Sequence, residues 1–376
     1  MNKISYAKNP GCSMALLFGV YAATLAPTAG AGAESIVTGG KTGTYYAIGN
    51  NLRDIVYPAL EVKDSKGSWA NVEDMSQTKG VSLAIVQSDV YAAFVRLRDS
   101  KAVPADTQKE YAKLLVNLRV FMPLYKEEIH FLVRKDDPME FIHQMKDKKI
   151  WMDMEKSGTY LTALNIYSKI FAQSPDIVEP FINSTATGDD EGTKRRRSAL
   201  MALSDPQFYK DYPKIDVMVL VGGQPLGILE KNVPANLKLL KFDPSQPSAG
   251  KVLQEYQKAD IKSSSYPSLN ISGTELASLA VDSYLITANF SDPNRNKFIV
   301  DFADAFCEKF SSLQSQGHKK WSALTWQPGS PLPAVAAGWQ YSDKVKERLA
   351  SCKTKLPAAQ KPSACSPQSR ALGLCV

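Results

Sequence analysis

Two loops, far apart along the chain, combine glycine, side-chain hydroxyls and the start of an amphipathic helix. The first covers residues 38–46 (TGGKTGTYY), and the second is Ser157-Gly158-Thr159. Main-chain N–H groups in the first turn of a helix have no intrahelical acceptor, and the helix dipole makes them favour an anion. Both loops therefore fit contacts to an anionic ligand. They also fit a simpler interpretation, in which Thr44 caps one helix and Ser157 or Thr159 caps the other.

Three further loops have the same small, polar character. Gln87-Ser88-Asp89 follows an apolar segment, Gly67-Ser68 precedes a helix that contains Asn71, and Gly222-Gly223-Gln224-Pro225 follows a second apolar segment. Polar residues at the carboxyl ends of parallel strands lie on the usual ligand side of an open α/β sheet. Asp89 is also suited to capping the helix that follows it.

The familiar motifs of catalysis are absent from the sequence. There is no GxSxG, HExxH or CxxC, and the run Gly40-Lys41-Thr42 lacks the glycine at position 35 that a Walker loop requires. The three histidines are scattered along the chain. We therefore predict a binding protein rather than an enzyme, with no metal site and no cofactor.

The segments around the loops alternate between strands and helices. Apolar patterning predicts strands at 35–38, 81–86, 149–152 and 216–221, and helices at 45–57, 68–80, 90–97, 160–171 and 295–313. This β-α-β-α order predicts an α/β fold with a mainly parallel sheet and helices on both faces. Residues 119–134 and 283–287 are predicted as strands that cross between two lobes. Tyr125 and Glu127 lie on the first of these. Glu127 suits an ammonium contact or a hinge, and equally an exposed acid beside Lys126.

The N-terminal residues have the layout of a secretory signal peptide. Lys3 and Lys8 precede an apolar run, which is followed by small residues that end Ala31-Gly32-Ala33. We expect residues 1–33 to be removed on export to the periplasm. The formal net charge of +7 would then be about +5, which favours anionic ligands only weakly.

One basic run stands out at Lys194-Arg195-Arg196-Arg197. Asp189, Asp190 and Glu191 come just before it, so its charges are locally balanced. We interpret the run as a solvated helix face and do not predict nucleic-acid binding.

Five cysteines are present, and Cys12 lies in the predicted signal peptide. The other four are Cys307, Cys352, Cys365 and Cys375. In an oxidising compartment they allow up to two disulfides, with three possible pairings. All four lie in the C-terminal part of the chain, where we expect them to fasten the tail.

Together these loops resemble the TAXI-type solute receptors of TRAP (tripartite ATP-independent periplasmic) transporters. The matching residues occur in the family's order between about 35 and 290: Thr38-Gly39-Gly40 to Tyr46, Gly67-Ser68 with Asn71, Leu83 to Asp89, Tyr125, Glu127 and His130, Ser157-Gly158-Thr159 with Thr162-Ala163, and Gly223 with Pro225. One departure is Asp153-Met154-Glu155-Lys156, where the family has a glycine-rich run. Lys156 there would add a positive charge for an anion, and Glu155 would oppose one.

The resemblance implies a two-lobed periplasmic binding protein of type II, with two crossing strands and mixed sheets flanked by helices. It places lobe 1 at 34–123 plus 283–352, lobe 2 at 124–282 and an irregular tail at 353–376. It implies a small carboxylate or acidic amino acid as ligand and a TRAP-type membrane permease as partner; a sensing module that signals to a receptor kinase is the alternative. The implied ligand contacts are Gly40, Thr42, Gly43, Thr44, Tyr45, Ser68, Asn71, Gln87, Ser88, Tyr125, Glu127, Ser157, Gly158, Thr159 and Gly223.

Overall fold

A computed structural model describes residues 34–182, 189–207, 210–230, 233–269 and 271–352. The predicted signal peptide and the predicted irregular tail, with Cys365 and Cys375, lie outside these residues. Within them, no helix is both long enough and apolar enough to span a bilayer.

Strands and helices alternate along the chain, as the apolar patterning predicts. The described ranges contain ten strands: β1 Ser35–Val37, β2 Glu61–Lys63, β3 Val81–Gln87, β4 Leu118–Arg134, β5 Lys149–Trp151, β6 Asp176–Ile177, β7 Val217–Gly222, β8 Leu237–Leu239, β9 Gln257–Lys262 and β10 Glu275–Ala288. The same ranges contain eleven α-helices: α1 Thr44–Asn51, α2 Ser68–Gln77, α3 Asp89–Asp99, α4 Ala105–Asn117, α5 Gly158–Phe171, α6 Glu191–Ser204, α7 Gly227–Glu230, α8 Ala249–Val252, α9 Pro293–Gln316, α10 Lys319–Ser322 and α11 Asp343–Ala350. A π-helical turn, Leu52–Val56, continues α1 to the residue before Tyr57, and Pro58 then prevents further helix.

The strands form one sheet in the order β2-β1-β3-β10-β4-β7-β5-β6, with β8 added to β4 and β9 added to β10. β1 runs parallel to β2 and β3, and β5 runs parallel to β6 and β7. β10 is antiparallel to β3 and β4, and β4 is antiparallel to β7. The sheet is therefore mixed, as the resemblance implies, and not mainly parallel, as the β-α-β-α order predicts, because the two long strands at its centre run in opposite directions.

These long strands divide the molecule into two halves. β4 has 17 residues and β10 has 14, and they pair from Leu118 with Ala288 to Ile129 with Leu279. On one side of the crossing, apolar clusters gather around Phe121, Phe302 and Phe306 and around Val86 and Phe94. On the other side, clusters gather around residues such as Met152, Tyr167 and Val219 and around Trp151 and Leu203. The predicted two-lobed α/β class, with β4 and β10 as the crossing strands, is confirmed.

A disulfide joins Cys307 on α9 to Cys352, just beyond α11. It is one of the pairings that the sequence allows, and it ties the C-terminal helix to the long helix of the first half.

Candidate functional site

A cavity of about 340 Å³ lies between the two halves, in the size range of small-molecule sites. Residues of both glycine- and hydroxyl-containing loops, 38–46 and 157–159, line it, although 110 residues lie between the two loops. Its wall comprises Gly39, Gly40, Thr42, Gly43, Thr44, Tyr45, Lys66, Gly67, Ser68, Gln87, Glu127, Asp153, Ser157, Gly158, Thr159, Asp189, Thr193, Arg196, Arg197, Leu220, Val221, Gly222, Leu226, Gly227 and Ile228.

The start of α1 presents main-chain donors to this cavity. The N-cap is Gly43, which makes no side-chain cap, so Thr44 is the first helical residue and not the cap that the simpler interpretation required. The Gly43 N–H donates to the Gly40 carbonyl at 2.8 Å, which closes the turn. The first-turn N–H groups of α1 therefore remain without a capping side chain.

The starts of α2 and α5 meet at the same cavity. Gly67, with φ of 116°, is so close to α5 that a Cβ atom there would lie 3.3 Å from the Gly158 nitrogen. A Cβ on Gly158 would lie 2.7 Å from Gln87 Cδ and 2.8 Å from Ser68 Oγ. Ser157 caps α5, since its Oγ accepts from the Tyr160 N–H at 3.0 Å. The loop at 157–159 therefore both caps α5 and lines the cavity.

The α1 loop also touches the start of α6, on the other half of the molecule. Asp190 caps α6 by accepting from the Thr193 N–H at 2.7 Å. Its other oxygen accepts from the Thr42 N–H at 3.2 Å, and the hydroxyls of Thr42 and Thr193 are hydrogen-bonded. These contacts close one side of the cavity.

Two arginines of α6 line the cavity, each held by a carboxylate. Arg196 Nε lies 3.0 Å from Asp153 Oδ2, and Arg197 Nε lies 2.6 Å from Asp189 Oδ2. The side chains of Arg196 and Arg197 are 27% and 40% exposed, so this part of the predicted solvated helix face forms part of the cavity wall. Sequence reasoning missed both arginines; the helix start at Asp190, beside the run, was the available signal.

Glu127 faces the cavity from the crossing strand β4. It is only 4% exposed, and its Oε2 accepts from the Tyr45 hydroxyl at 3.0 Å. Burial raises the pKa of Glu127 to about 7, while hydrogen bonds from Tyr45 and Gln87 partly oppose that rise. The interpretation as an exposed acid is therefore wrong.

An apolar surface completes the wall. Leu220 and Val221 lie near the end of β7, and Leu226 and Ile228 belong to the turn and short helix that follow. Gly227 lies between them, and a Cβ there would meet no atom within 4 Å. The sequence predicted the strand at 216–221 and the glycine turn after it, but not that Leu226 and Ile228 line the cavity.

Four predicted site residues lie away from the cavity wall. Asn71 is fully buried, and its amide donates to the carbonyls of Thr38 and Ile85, so it holds neighbouring strands in place. Ser88 is bound through its main chain, its carbonyl accepting from Trp339 Nε1 at 2.8 Å.

Tyr125 and Gly223 lie against Lys320, outside the cavity wall. The ammonium of Lys320 lies 5.4 Å from the centre of the Tyr125 ring, and a Cβ on Gly223 would lie 2.5 Å from Lys320 Cε.

Lys156, the possible charge for an anion, instead pairs with Glu73 at 2.9 Å. Asp153 and Lys156 adopt φ of 66° and 68°, so the backbone keeps a glycine-like conformation where the resembling family has glycines.

Comparison with known proteins gives a family match over most of the chain. The sequence model of the NMT1-like family matches residues 36–294. Among solved structures, the periplasmic binding protein BugD is similar with a TM-score of 0.41 and 10% identity, covering 75% of this chain and 85% of that one. A putative periplasmic sulfonate-binding protein, SsuA from Methylobacillus flagellatus KT, has a TM-score of 0.39 and 10% identity, covering 75% and 69%. The substrate-binding protein of an amino acid ABC transporter has a TM-score of 0.36 and 11% identity, covering 77% and 96%.

Proposed function

The chain belongs to the NMT1-like family, and we propose that it is an extracytoplasmic solute receptor. It captures a small organic anion, a carboxylate or acidic amino acid, between its two halves and delivers the anion to a membrane permease. The observation that carries this proposal is the convergence of helix starts from both halves, α1 and α2 on one and α5 and α6 on the other, on one cavity.

The chemistry of this convergence favours an anion. First-turn amides supply hydrogen-bond donors and partial positive charge at fixed positions, and they need no side-chain ordering when the ligand arrives. Arg196 and Arg197, each already paired with a carboxylate, add guanidinium N–H donors on the α6 side. Thr42, Ser68 and Ser157 add hydroxyls that can donate to an oxyanion.

Closure of the cleft is the proposed mechanism. Several bonds cross from one half to the other: Thr42 to Asp190, Lys156 to Glu73 at 2.9 Å, and Thr162 to Asp89 at 2.7 Å. A ligand that bridges the helix starts would add to these bonds only in the closed form, and so would shift the population towards it. The permease would then recognise the closed form. We propose a TRAP-type permease because of the resemblance of the loops to TAXI receptors.

A thermal-shift screen of organic acids and amino acids on the exported protein tests the proposal. A compound that binds only the folded state raises the melting temperature by mass action, with about 2.7 kcal/mol gained at a concentration of 100 Kd. Hits should be lost in Gly158→Ala, because the new methyl group would displace Gln87 and Ser68. Gly250→Ala is the matched control, since a Cβ there meets no atom within 4 Å.

The melting temperature of each unliganded variant shows whether it is folded. If folded Gly158→Ala keeps the affinity of the unaltered protein for every hit, the cavity is not the binding site. If no organic anion or amino acid shifts the melting temperature of the unaltered protein, the receptor function itself is wrong.

A further inference from the structure

The formal charges that line the cavity balance one another. Among the described residues of the wall, three are cationic and three carry a carboxyl group: Lys66, Arg196, Arg197, Glu127, Asp153 and Asp189. Each arginine is bound to one of the carboxylates, through Arg196–Asp153 at 3.0 Å and Arg197–Asp189 at 2.6 Å. Neither guanidinium is therefore available as an uncompensated charge, and a ligand with two negative charges would exceed what the wall can neutralise.

The protonation state of Glu127 decides the net charge of the cavity wall. It is buried, it faces the cavity, and it has a raised pKa for the reasons given above. An anion in the cavity favours the protonated, neutral form of Glu127 further, because like charges repel. With Glu127 protonated, the six groups sum to one positive charge, which one carboxylate neutralises.

The apolar surface restricts the rest of the ligand. Leu220, Val221, Leu226 and Ile228 line the cavity without polar side-chain atoms. A second carboxylate or an ammonium group against this surface would lose its water without gaining a partner. An aliphatic or aromatic group would instead be stabilised there by burial.

We infer that the cavity takes a singly charged carboxylate with an apolar body, such as a medium-chain or aromatic monocarboxylate, in preference to a dicarboxylate or an acidic amino acid. This inference rests on the proposed function and narrows its ligand class. One end of the ligand meets the helix starts, and the apolar body lies against the end of β7 and α7.

Isothermal titration calorimetry with a matched set of compounds tests the inference. Hexanoate and benzoate represent the expected class, glutarate and L-glutamate carry a second charged group, and acetate has almost no apolar body. We expect hexanoate or benzoate to bind at least about tenfold more tightly than each of the other three. A single buried methylene is worth about 0.8 kcal/mol, or roughly fourfold in affinity.

The variant Ile228→Ser places a hydroxyl in the proposed apolar surface. It should weaken hexanoate binding about tenfold and leave the weak binding of acetate unchanged. Val116→Ser is the control, since Val116 is 68% exposed and lies outside the cavity wall.

The titrations distinguish a failure of this inference from a failure of the proposed receptor function. If glutarate or glutamate binds as tightly as hexanoate and benzoate, the inference is overturned and the receptor function stands. If Ile228→Ser and Val116→Ser both leave the affinity for hexanoate unchanged, the apolar body does not lie where we place it and the inference again fails. If none of the compounds binds and the wider screen is also negative, the inference and the proposed function fall together.

Discussion

Asp89 is a buried carboxyl group that links the two halves, and its titration should be visible in the stability of the protein. It begins α3 and is 1% exposed. Its Oδ2 accepts from the Thr162 hydroxyl at 2.7 Å and from the Tyr256 hydroxyl at 2.9 Å. Its Oδ1 has no hydrogen-bond partner within the described part of the chain. Burial raises the pKa of Asp89 to about 6, although the two hydroxyls oppose the rise.

The sign and size of the effect follow from this pKa. Because the folded protein holds the proton more tightly than the unfolded chain does, Asp89 favours folding most at low pH. That contribution is complete below the unfolded pKa of 3.8, and it is lost as the pH rises towards 6. One pKa unit corresponds to about 1.4 kcal/mol, so the loss amounts to about 3 kcal/mol of unfolding free energy.

The substitution Asp89→Asn removes the titration and keeps an oxygen for the two hydroxyls. Urea unfolding of both proteins between pH 4 and pH 8 gives the free-energy difference at each pH. The original protein should lose about 2.5 kcal/mol relative to Asp89→Asn between pH 4 and about 7, with little further change above that. Asp106→Asn is the control, because the Asp106 side chain is 93% exposed and that variant should track the original protein. A difference that stays constant with pH, or that grows in favour of the original protein as the pH rises, would refute the assignment of a raised pKa to Asp89.

Three further predictions concern Glu127, Asn71 and the disulfide. The affinity for hexanoate should fall as the pH rises through about 7, because the deprotonated Glu127 repels the anion; titrations between pH 6 and pH 8.5 should show no such fall in Glu127→Gln. Asn71→Ala should lower the free energy of unfolding by about 2 kcal/mol, since it removes a buried amide that donates to two carbonyls; denaturation at one pH measures this, and an unchanged midpoint would contradict it. Replacing Cys307 and Cys352 by serine should cost about 4 kcal/mol of stability, the chain-entropy value for a loop of this length; reduction of the original protein with dithiothreitol should reproduce the loss.

The fold could be predicted from the sequence wherever the signal was local. β3 is a continuous apolar run and is buried along its whole length, and the long apolar segment after Asn117 became the crossing strand β4. The prediction of a mainly parallel sheet was wrong because the order of strands in a sheet is not a local property of the sequence. Which strands become neighbours depends on contacts between distant residues, and β4 pairs with β10 through residues about 150 to 170 positions apart in the chain.

The candidate site likewise has a part that could be predicted from local sequence and a part that depends on contacts between distant residues. The loops at 38–46 and 157–159 were predicted because each contains its own glycine, hydroxyl and helix start. The environment of Arg196 was not predictable, since its partner Asp153 lies 43 positions earlier in the chain. Read locally, a run of basic residues after three acids is typical of a solvated surface. Only the fold shows that Asp153 and Asp189, the partners of Arg196 and Arg197, line the cleft.

The loops could be predicted from the sequence and the side chains around them could not, and this contrast indicates where the ligand specificity of the protein lies. Main-chain amides at helix starts favour negative charge but distinguish poorly between one anion and another, so the motifs that the sequence reveals predict a class of ligand. Discrimination must come from groups that surround those amides: the carboxyl group of Glu127, the arginines that are already paired, and the apolar surface around Ile228. Exchange of these side chains, with the glycine loops unchanged, should therefore alter which carboxylate binds without abolishing the binding of anions.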